Sequence, residues 1–276
     1  MLIYRLLLSL LFVPIAIMLL ARLLARKESI GEMMTRFGLG PATIKQPASS
    51  LWLHAASNGE LNSAKAFLEK LRQTRTENSI LITCNTLSGV RLAKSLGHRA
   101  RLAPLDYWWS VKMFRGTENI SEHITIESEI WPNRLAILHK KKIAITVMGA
   151  RLSEQTSRMW SKFPQLASST IVKIDFLSAQ NSSSLQRFQK FGLADSAIGP
   201  ILNLKSFIAQ PKDIPPRSER ANTCLAASTH PGEDAIVLDG FCQARVQWPL
   251  LKIILAPRHP HRAESIKNLL SERDLT

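Results

Sequence analysis

The chain has 276 residues, 45% of them hydrophobic, which is enough for one large or two small domains with genuine cores and excludes disorder for most of it. Its 36 Lys and Arg residues outnumber its 21 Asp and Glu residues, and the net charge of +15 favours an anionic partner: nucleic acid, phosphorylated lipid or an acidic membrane surface. Three widely spaced cysteines, Cys84, Cys224 and Cys242, form no CxxC pair, which argues against a disulfide framework and a zinc site and favours a reducing compartment.

The chain begins with an uncharged hydrophobic run at residues 6–21, which Arg5 precedes and Arg22, Arg26 and Lys27 follow. A helix of this length reaches roughly 24 Å, less than the roughly 30 Å hydrocarbon core, so residues 1–27 are predicted to be an anchor, whether or not they span. A cleaved signal peptide is the alternative, but its positive charge would precede the run. Because the heavier positive flank follows it, the rest of the chain is expected in the cytoplasm.

After residue 50, short apolar runs alternate with amphipathic stretches, a pattern typical of a parallel sheet covered by helices. Strands are predicted at residues 51–55, 80–83, 124–126, 143–147 and 176–179. A helix is predicted at residues 61–71, where Leu61, Ala64, Leu68 and Leu71 share one face. The pattern predicts a Rossmann-like domain at residues 28–209.

Residues 210–222 contain three prolines and several charges, as expected of an interdomain linker. Beyond it, a strand at 223–227, a helix at 235–246, a strand at 251–255 and a helix at 261–270 are predicted. These elements form a βαβα unit at residues 223–276. A unit of roughly fifty residues is at the low end of what folds alone, so we expect it to pack on the first domain or on a partner, or to be marginally stable.

The first motif that can carry chemistry is HAASNGE at residues 54–60, where the first strand ends and a helix begins. Ligands bind at this edge of open α/β sheets. Ser57 and Glu60 have the spacing of a capping box, which is a structural interpretation. The functional interpretation is that Glu60 is a general base for an acceptor hydroxyl, an effect of about 10²–10⁴ in rate. His54 alone is more typical of a structural residue at a strand end.

Two further motifs follow later strands of the first domain. Glu127 and Glu129 of ESEIWPN are two residues apart on an extended stretch and point the same way, which fits a shared site or two solvated carboxylates equally well. Pro132 suits the first turn of the next helix. Arg151 of GARLSE follows a strand and a small-residue turn, where it can bind phosphate or carboxylate through two hydrogen bonds, or lie in solvent as an ordinary surface residue.

The second unit has two loops at neighbouring strand ends. ASTHPGE at residues 227–233 places Ser228, Thr229 and free backbone N–H groups at a helix start, which is a typical anion site. PRHPHR at residues 257–262 adds Arg258 and Arg262 after the next strand. Together the loops predict a phosphate cradle, although ordinary strand-to-helix turns with caps explain each loop equally well.

Taken in chain order, HAASNGE, IESEIWPN, ARLSEQTS, NLK, AASTHPGE and PRHPHR, with the anchor and the RFGLG stretch at residues 36–40, resemble the motifs of 3-deoxy-D-manno-octulosonic acid (Kdo) transferases. The resemblance covers essentially the whole chain. It implies a GT-B fold of two Rossmann-like domains, with the acceptor held mainly by the first and the nucleotide by the second. It also implies inverting transfer of Kdo from CMP-Kdo to the lipid A precursor (lipid IVA) at the cytoplasmic face of the inner membrane, without a cofactor or a catalytic metal.

By this resemblance, Glu60 is the base that activates the acceptor hydroxyl. The acceptor side of the cleft is expected to include Ser57, Asn58, Gly59, Glu129 and Arg151. The donor's phosphate and carboxylate are expected to face Lys205 of NLK, with Ser228, Thr229 and Arg258. The basic surface then has a partner, because the acceptor lipid is bisphosphorylated and the leaflet is anionic. No nucleic-acid partner is expected, since no recognised binding module is present.

The chain also departs from the family pattern. Asn is common in the family where Gly149 stands, and a tighter G-[NS]-L-K is common where residues 199–205 read GPILNLK, so the loop before Lys205 is expected to differ. The family continues well past PRHPHR into a segment with a G-G-H-N-x-x-E-P motif that holds the nucleotide. We therefore expect the second Rossmann-like unit to be incomplete.

The leading hypothesis is a Kdo transferase, a CMP-sugar-dependent glycosyltransferase of lipopolysaccharide biosynthesis, whose turnover by this chain alone is expected to be weak. The alternative is a catalytically inactive relative or fragment that binds lipid A or a partner.

Overall fold

The computed structural model of the protein describes residues 1–40, 43, 49–75, 79–207 and 220–275. Contacts divide the chain into two compact units, Met1–Ala209 and Gln210–Thr276. The linker predicted at residues 210–222 lies outside the described residues except for its last three.

Helix α1 (Leu2–Leu24) contains the whole predicted apolar run. Among the described helices, it is the one long and apolar enough to cross a membrane. One side of it packs on the rest of the first unit, since Leu19 is buried and the Tyr4 hydroxyl donates to Asp106 Oδ2 at 2.8 Å. Many of its other apolar side chains are exposed by half or more, among them Leu2, Leu10, Ile17 and Leu24. The helix therefore carries an uncovered apolar face that suits a membrane anchor.

The first unit is built on a six-stranded sheet in the order β3-β2-β1-β4-β5-β6, in which all neighbours are parallel. Its strands are β1 (Ser50–His54), β2 (Ile80–Cys84), β3 (Arg99–Leu102), β4 (Ile120–Ile126), β5 (Ala144–Ala150) and β6 (Phe176–Ala179). The strand order reverses between β1 and β4. In open α/β sheets, such a switch opens a crevice at the carboxyl ends of the strands.

Helices cover both faces of this sheet. They are α2 (Ile30–Arg36), α3 (Asn58–Ser63), α4 (Lys65–Thr74), α5 (Leu87–Ser95), α6 (Trp108–Thr117), α7 (Pro132–Lys140), α8 (Glu154–Ser161), α9 (Pro164–Ile171) and α10 (Ser182–Lys190). Side chains alternate across a strand, and in β1 Leu51 and Leu53 belong to one hydrophobic cluster while Trp52 belongs to another. Burial on both faces is what a parallel sheet requires, and the predicted α/β class is confirmed.

Strand β3 is not predicted by the sequence pattern, because Arg99 and Arg101 interrupt its apolar residues. Both side chains are nevertheless buried, since they converge on the fully buried Glu118. Arg99 Nη2 lies 2.7 Å from Oε2 of this carboxylate and Arg101 Nη1 lies 2.6 Å from Oε1. A local pattern cannot reveal a strand whose charged side chains pair with a buried carboxylate 17 and 19 residues away.

The single helix predicted at residues 61–71 is wrong in one respect, because two helices, α3 and α4, meet at Ala64. The Ser63 hydroxyl donates to the Glu60 carbonyl at 2.7 Å, and Ala64 has φ −87° and ψ −3°, which tightens the turn. The predicted apolar face is still buried at Leu61, Ala64 and Leu68.

Gly38 of the RFGLG stretch fixes a close approach between that stretch and α6. Its φ is +72°, and a Cβ at this position would meet the Ser110 carbonyl oxygen at 2.1 Å. We expect Gly38→Ala to lower the free energy of unfolding by more than the roughly 1–2 kcal/mol that left-handed backbone costs an alanine. Urea denaturation measures this. Gly116→Ala, where a Cβ meets open space in a helix, is the control and should be neutral or stabilising; equal losses in the two variants would contradict the prediction.

The second unit pairs two parallel strands, β7 (Thr223–Thr229) and β8 (Lys252–Pro257), with α11 (Glu233–Gln247) and α12 (Ala263–Ser271). This is the predicted βαβα order. Several of its large apolar side chains are exposed, including Leu225, Ile236, Val246, Leu250 and Ile254.

Candidate active site

The crevice of the first unit lies where β1 and β4 end, and two of the sequence motifs meet there. HAASNGE follows β1, and ESEIWPN follows β4. Glu60 consequently lies close enough to Glu127 and Glu129 for their charges to affect its ionisation. The reversal of strand order therefore brings together carboxylates that are distant in sequence.

Glu60 lies in the first turn of α3, where its backbone and its side chain are both held. Its N–H donates to Ser57 Oγ at 3.3 Å, as the capping interpretation predicts. Its Oε2 accepts the N–H of Ala56 at 2.7 Å, one residue before the position that a standard capping box uses. Capping thus engages one carboxylate oxygen and fixes the direction of the side chain.

The environment of Glu60 raises the pKa of its carboxyl group toward neutral pH. Burial raises the pKa of Glu60 to about 7; the Ala56 N–H opposes this, the negative charges of Glu127 and Glu129 add to it, and Lys205 opposes it. A carboxylate with this pKa is partly ionised at neutral pH and binds a proton strongly. These are the properties that a general base requires.

Glu129 lies in the same crevice, but its pKa is shifted in the opposite direction. Trp131 Nε1 donates to its Oε2 at 2.5 Å, Asn85 Nδ2 does so at 3.3 Å, and His54 Nε2 lies 3.5 Å from the same oxygen. Burial would raise the pKa of Glu129, but the contacts with His54 and Trp131 and the charge of Arg134 hold it at about 2. Two acids whose pKa values are pushed apart are typical of a division between base and fixed charge.

Glu127, which the sequence analysis pairs with Glu129 in a shared site or in solvent, is a crevice residue, but it lies in a turn and not on the predicted extended stretch. Its φ of +58° is in the left-handed region, which glutamate rarely adopts, and its Oε1 lies 3.4 Å from Lys205 Nζ. Such strain concentrates at functional sites, and no local sequence signal reveals it. Although three carboxylates share the crevice, no set of three His, Cys, Asp or Glu side chains in the described part of the chain is arranged to hold a metal ion.

Lys205 reaches the crevice from a short 3-10 turn, Leu204–Phe207, after β6. Gly149, beside this turn, has φ +62°, and a Cβ there would meet Leu204 Cδ1 at 3.1 Å. Asn is one of the few other residues that tolerate this conformation, so the backbone explains both the Asn of the resembling family and the Gly of this chain. Leu204 fills the space beside Gly149, and the two departures from the family pattern are therefore neighbours.

The other predicted acceptor-side residues are placed near the crevice with few contacts. Ser57 is half-buried at the start of α3, and Asn58 and Gly59 are exposed there. Arg151 follows β5; its backbone N–H lies 3.4 Å from the Glu127 carbonyl, and its exposed side chain makes no hydrogen bond or ion pair with a described residue. Arg151 is thus available to an anionic ligand.

In the second unit, three predicted donor-binding residues lie where β7 and β8 end. Ser228 is exposed and has φ +61°, and the Thr229 hydroxyl is buried without a hydrogen-bond partner among the described residues. Arg258 is exposed, and its backbone N–H donates to the Thr229 carbonyl at 3.2 Å. An unpaired hydroxyl and a free guanidinium group at adjacent strand ends fit an anion.

Arg262 does not belong to this set, which corrects the expectation of two guanidinium groups in the PRHPHR loop. It pairs with the buried Asp234 and donates to the Thr229 carbonyl at 2.7 Å. Glu233, at the start of α11, accepts the His230 N–H at 2.7 Å. Acidic residues of the chain itself therefore occupy part of this helix start, and Arg258 is the arginine left for a ligand.

Comparison with known proteins links the chain to one family. A family model described as 3-deoxy-D-manno-octulosonic-acid transferase (kdotransferase) matches residues 31–208. The 3-deoxy-D-manno-octulosonic acid transferases of Haemophilus influenzae and Rickettsia bellii are 26% and 29% identical, over 87% and 98% of this chain and 59% and 66% of their own lengths. A probable mitochondrial 3-deoxy-D-manno-octulosonic acid transferase of Arabidopsis thaliana is 26% identical over 88% of this chain and 58% of its own length. The chain spans about three fifths of the length of these relatives.

Solved structures resemble the chain in fold. The UDP-GlcNAc 2-epimerase of Methanocaldococcus jannaschii has a TM-score of 0.54 and 15% identity, covering 82% of this chain and 68% of that one. The Neisseria meningitidis UDP-GlcNAc 2-epimerase bound to UDP-GlcNAc has a TM-score of 0.55 and 12% identity, covering 81% and 69%. At this identity the likeness concerns the fold alone, and the predicted GT-B-like class is confirmed.

Proposed function

Because the chain belongs to the family of 3-deoxy-D-manno-octulosonic acid (Kdo) transferases, we propose that it is a glycosyltransferase that transfers Kdo from CMP-Kdo to the lipid A precursor, lipid IVA. The observation that carries the proposal is Glu60 at the switch point of the sheet, with its pKa raised to about 7 beside the ionised Glu129. The reaction belongs to lipopolysaccharide biosynthesis at the cytoplasmic face of the inner membrane.

In the proposed reaction, Glu60 takes the proton of an acceptor hydroxyl while the hydroxyl oxygen attacks the anomeric carbon of Kdo. The bond from that carbon to the phosphate of CMP breaks on the opposite side, so the configuration inverts. Glu60 must be ionised before the step and is protonated after it. Glu129 remains a carboxylate throughout and accepts a hydrogen bond from the substrate.

The departing CMP and the carboxylate of Kdo need compensating positive charge. Within the first unit, Lys205 and Arg151 supply cations for these groups. The second unit, taken by itself, offers Arg258 and the Ser228 and Thr229 hydroxyls to a phosphate. Fixed donors that face a developing charge lower the barrier, because they need no reorganisation during the step. The proposal requires neither a cofactor nor a metal ion.

The acceptor and the membrane are both anionic, and the chain is suited to both. Its net charge is +15, and the exposed apolar face of α1 can enter the lipid surface. Each Lys or Arg near an anionic leaflet contributes about 1 kcal/mol to binding. We propose that α1 holds the crevice at the leaflet where the bisphosphorylated precursor resides.

The rate of transfer is expected to rise with pH through about 7. Only the ionised form of Glu60 accepts a proton, and the pKa of Glu60 is raised to about 7, so kcat/KM should fall tenfold per pH unit well below that value. Glu129, with a pKa of about 2, does not titrate in this range. Initial rates between about pH 5 and pH 9 provide the measurement, and a flat profile would exclude Glu60 as the base.

The direct test uses the full chain in phospholipid vesicles with CMP-Kdo and lipid IVA. Mass spectrometry should detect lipid IVA with added Kdo, above the level formed by a Glu60→Ala variant. Co-sedimentation of lipid IVA with the chain is measured in parallel. Binding of lipid IVA without product would refute the transferase proposal and favour the inactive, lipid-binding alternative.

A further inference from the structure

Behind Glu129, a line of buried polar side chains crosses from β1 to β2 and back. Trp52 Nε1 donates to Thr83 Oγ1 at 2.7 Å, and Thr83 Oγ1 lies 2.9 Å from His54 Nδ1. His54 Nε2 then lies 3.5 Å from Glu129 Oε2. Trp52, Thr83 and His54 are fully buried, so none of them can reach a substrate. The line ends at a carboxylate of the proposed site.

His54 is neutral, and the position of its single proton decides what it presents to Glu129. Burial and the positive charge of Arg134 lower the pKa of His54 to about 4, although Glu129 acts in the opposite direction. A neutral imidazole has one N–H donor and one acceptor nitrogen, and the contacts of one nitrogen fix the state of the other.

The contacts around Thr83 favour the proton on Nε2. Thr83 Oγ1 accepts the Trp52 N–H, so its own hydroxyl proton is available for His54 Nδ1. The Thr83 carbonyl, 3.1 Å from Nδ1, already accepts the Ala55 N–H within the sheet. With the proton on Nδ1 instead, the lone pair of Nε2 would face the carboxylate of Glu129. The Nε2–H form pairs Nδ1 with the Thr83 hydroxyl and directs the remaining N–H toward Glu129 Oε2, 3.5 Å away, where Nε2 makes no hydrogen bond with a described residue.

We propose that His54 is a positioning residue for Glu129: Thr83 fixes the Nε2–H tautomer, and this N–H helps to hold Oε2 so that Oε1 remains for a substrate hydroxyl. The Trp131, Asn85 and His54 contacts all involve Oε2. The 3.5 Å distance is long for a hydrogen bond, and such contacts commonly shorten when substrate binds. The role of Oε1 rests on the proposed function, whereas the tautomer does not.

The tautomer is tested by NMR on the full chain labelled with ¹⁵N-histidine, without substrate. Two-bond ¹H–¹⁵N correlations distinguish Nε2–H from Nδ1–H, and the loss of one set of signals in His54→Gln identifies His54 among the seven histidines. We expect Nε2–H in the wild type and in Thr83→Ser, which keeps the hydroxyl. In Thr83→Val the Thr83 carbonyl remains the acceptor near Nδ1, and Nδ1–H should appear. Nδ1–H in the wild type would overturn the proposal, and this measurement needs no variant that alters Thr83.

The effect on Glu129 is read from the indole N–H of Trp131, which donates to the same oxygen. In a chain labelled with ¹⁵N-tryptophan, we expect this resonance far downfield in the wild type and in Thr83→Ser, and moved upfield in Thr83→Val. Thr170→Val is the control, because it removes a buried hydroxyl that bonds within α9. A Trp131 resonance that is the same in all four proteins would refute the positioning role.

In the transfer assay, Thr83→Val should lower kcat/KM by about tenfold, whereas Thr83→Ser and Thr170→Val should stay within about twofold of the wild type. An equal loss in Thr170→Val and Thr83→Val would point to a structural effect and count against the positioning role. If the wild type itself forms no product, the proposed function fails, and the NMR results still decide whether Thr83 and His54 orient Glu129.

Discussion

Glu60→Gln is expected to lower the rate of Kdo transfer by about 10²–10⁴, the usual contribution of a general base. Glutamine keeps the length of the side chain and an oxygen that can accept the Ala56 N–H, so the start of α3 should be preserved. It cannot accept the proton of the acceptor hydroxyl. Initial rates at saturating donor and acceptor measure the effect, and the remaining activity should lose its dependence on pH near 7.

Two further variants separate catalysis from capping. Glu60→Ala removes both the carboxylate and the contact with Ala56, so it should match Glu60→Gln in rate but lose more stability, by about 0.5–2 kcal/mol, as a lost cap does. Glu69→Gln changes an exposed glutamate of α4 and should leave both quantities unchanged. If Glu60→Gln retained the wild-type rate, Glu60 would be a capping residue only.

The sequence predicts the positions of most strands and the two motifs of the crevice, because both depend on local patterns. Apolar runs identify β1, β2 and β6 to within a residue at each end, and small or polar residues after them mark the turns. The pairing of HAASNGE with ESEIWPN requires the strand order, which no local pattern contains. Once the order reverses between β1 and β4, the two motifs must lie side by side.

What the sequence does not reveal depends on contacts between distant residues. The left-handed conformation of Glu127 and the burial of Thr83 behind His54 arise from the packed sheet. The same packing determines the charge states, since Glu60 and Glu129 are chemically identical side chains. Their pKa values differ because burial acts on both, but at Glu129 the contacts with His54 and Trp131 and the charge of Arg134 outweigh it, whereas at Glu60 it prevails. The sequence shows that both residues are glutamates, but it cannot distinguish their roles.

The largest loss of stability is expected when the buried carboxylate of Glu118, which pairs with two arginines of β3, is removed. Its two oxygens contact Arg99 and Arg101, and the Thr43 hydroxyl donates to Oε2 at 3.0 Å. Glu118→Gln would leave both buried guanidinium groups without the negative charge they share. Breaking a buried ion pair by removing one partner typically costs about 3–5 kcal/mol, a large part of the roughly 5–15 kcal/mol that stabilises a typical protein.

Urea denaturation of the wild type and Glu118→Gln should therefore differ by about 3–5 kcal/mol, with the first unit unfolding at lower urea. The matched control is Glu122→Gln, which breaks an equally short contact of 2.6 Å with Arg75. Both partners of that pair are partly exposed, at 32% and 41%, and water compensates the loss, so about 0–1 kcal/mol is expected. The two variants make the same chemical change, but they differ in burial and in the number of arginines that the carboxylate contacts, two for Glu118 and one for Glu122. Equal losses would mean that charge compensation inside the sheet does not hold β3 in place, and that the apolar contacts of its neighbours do.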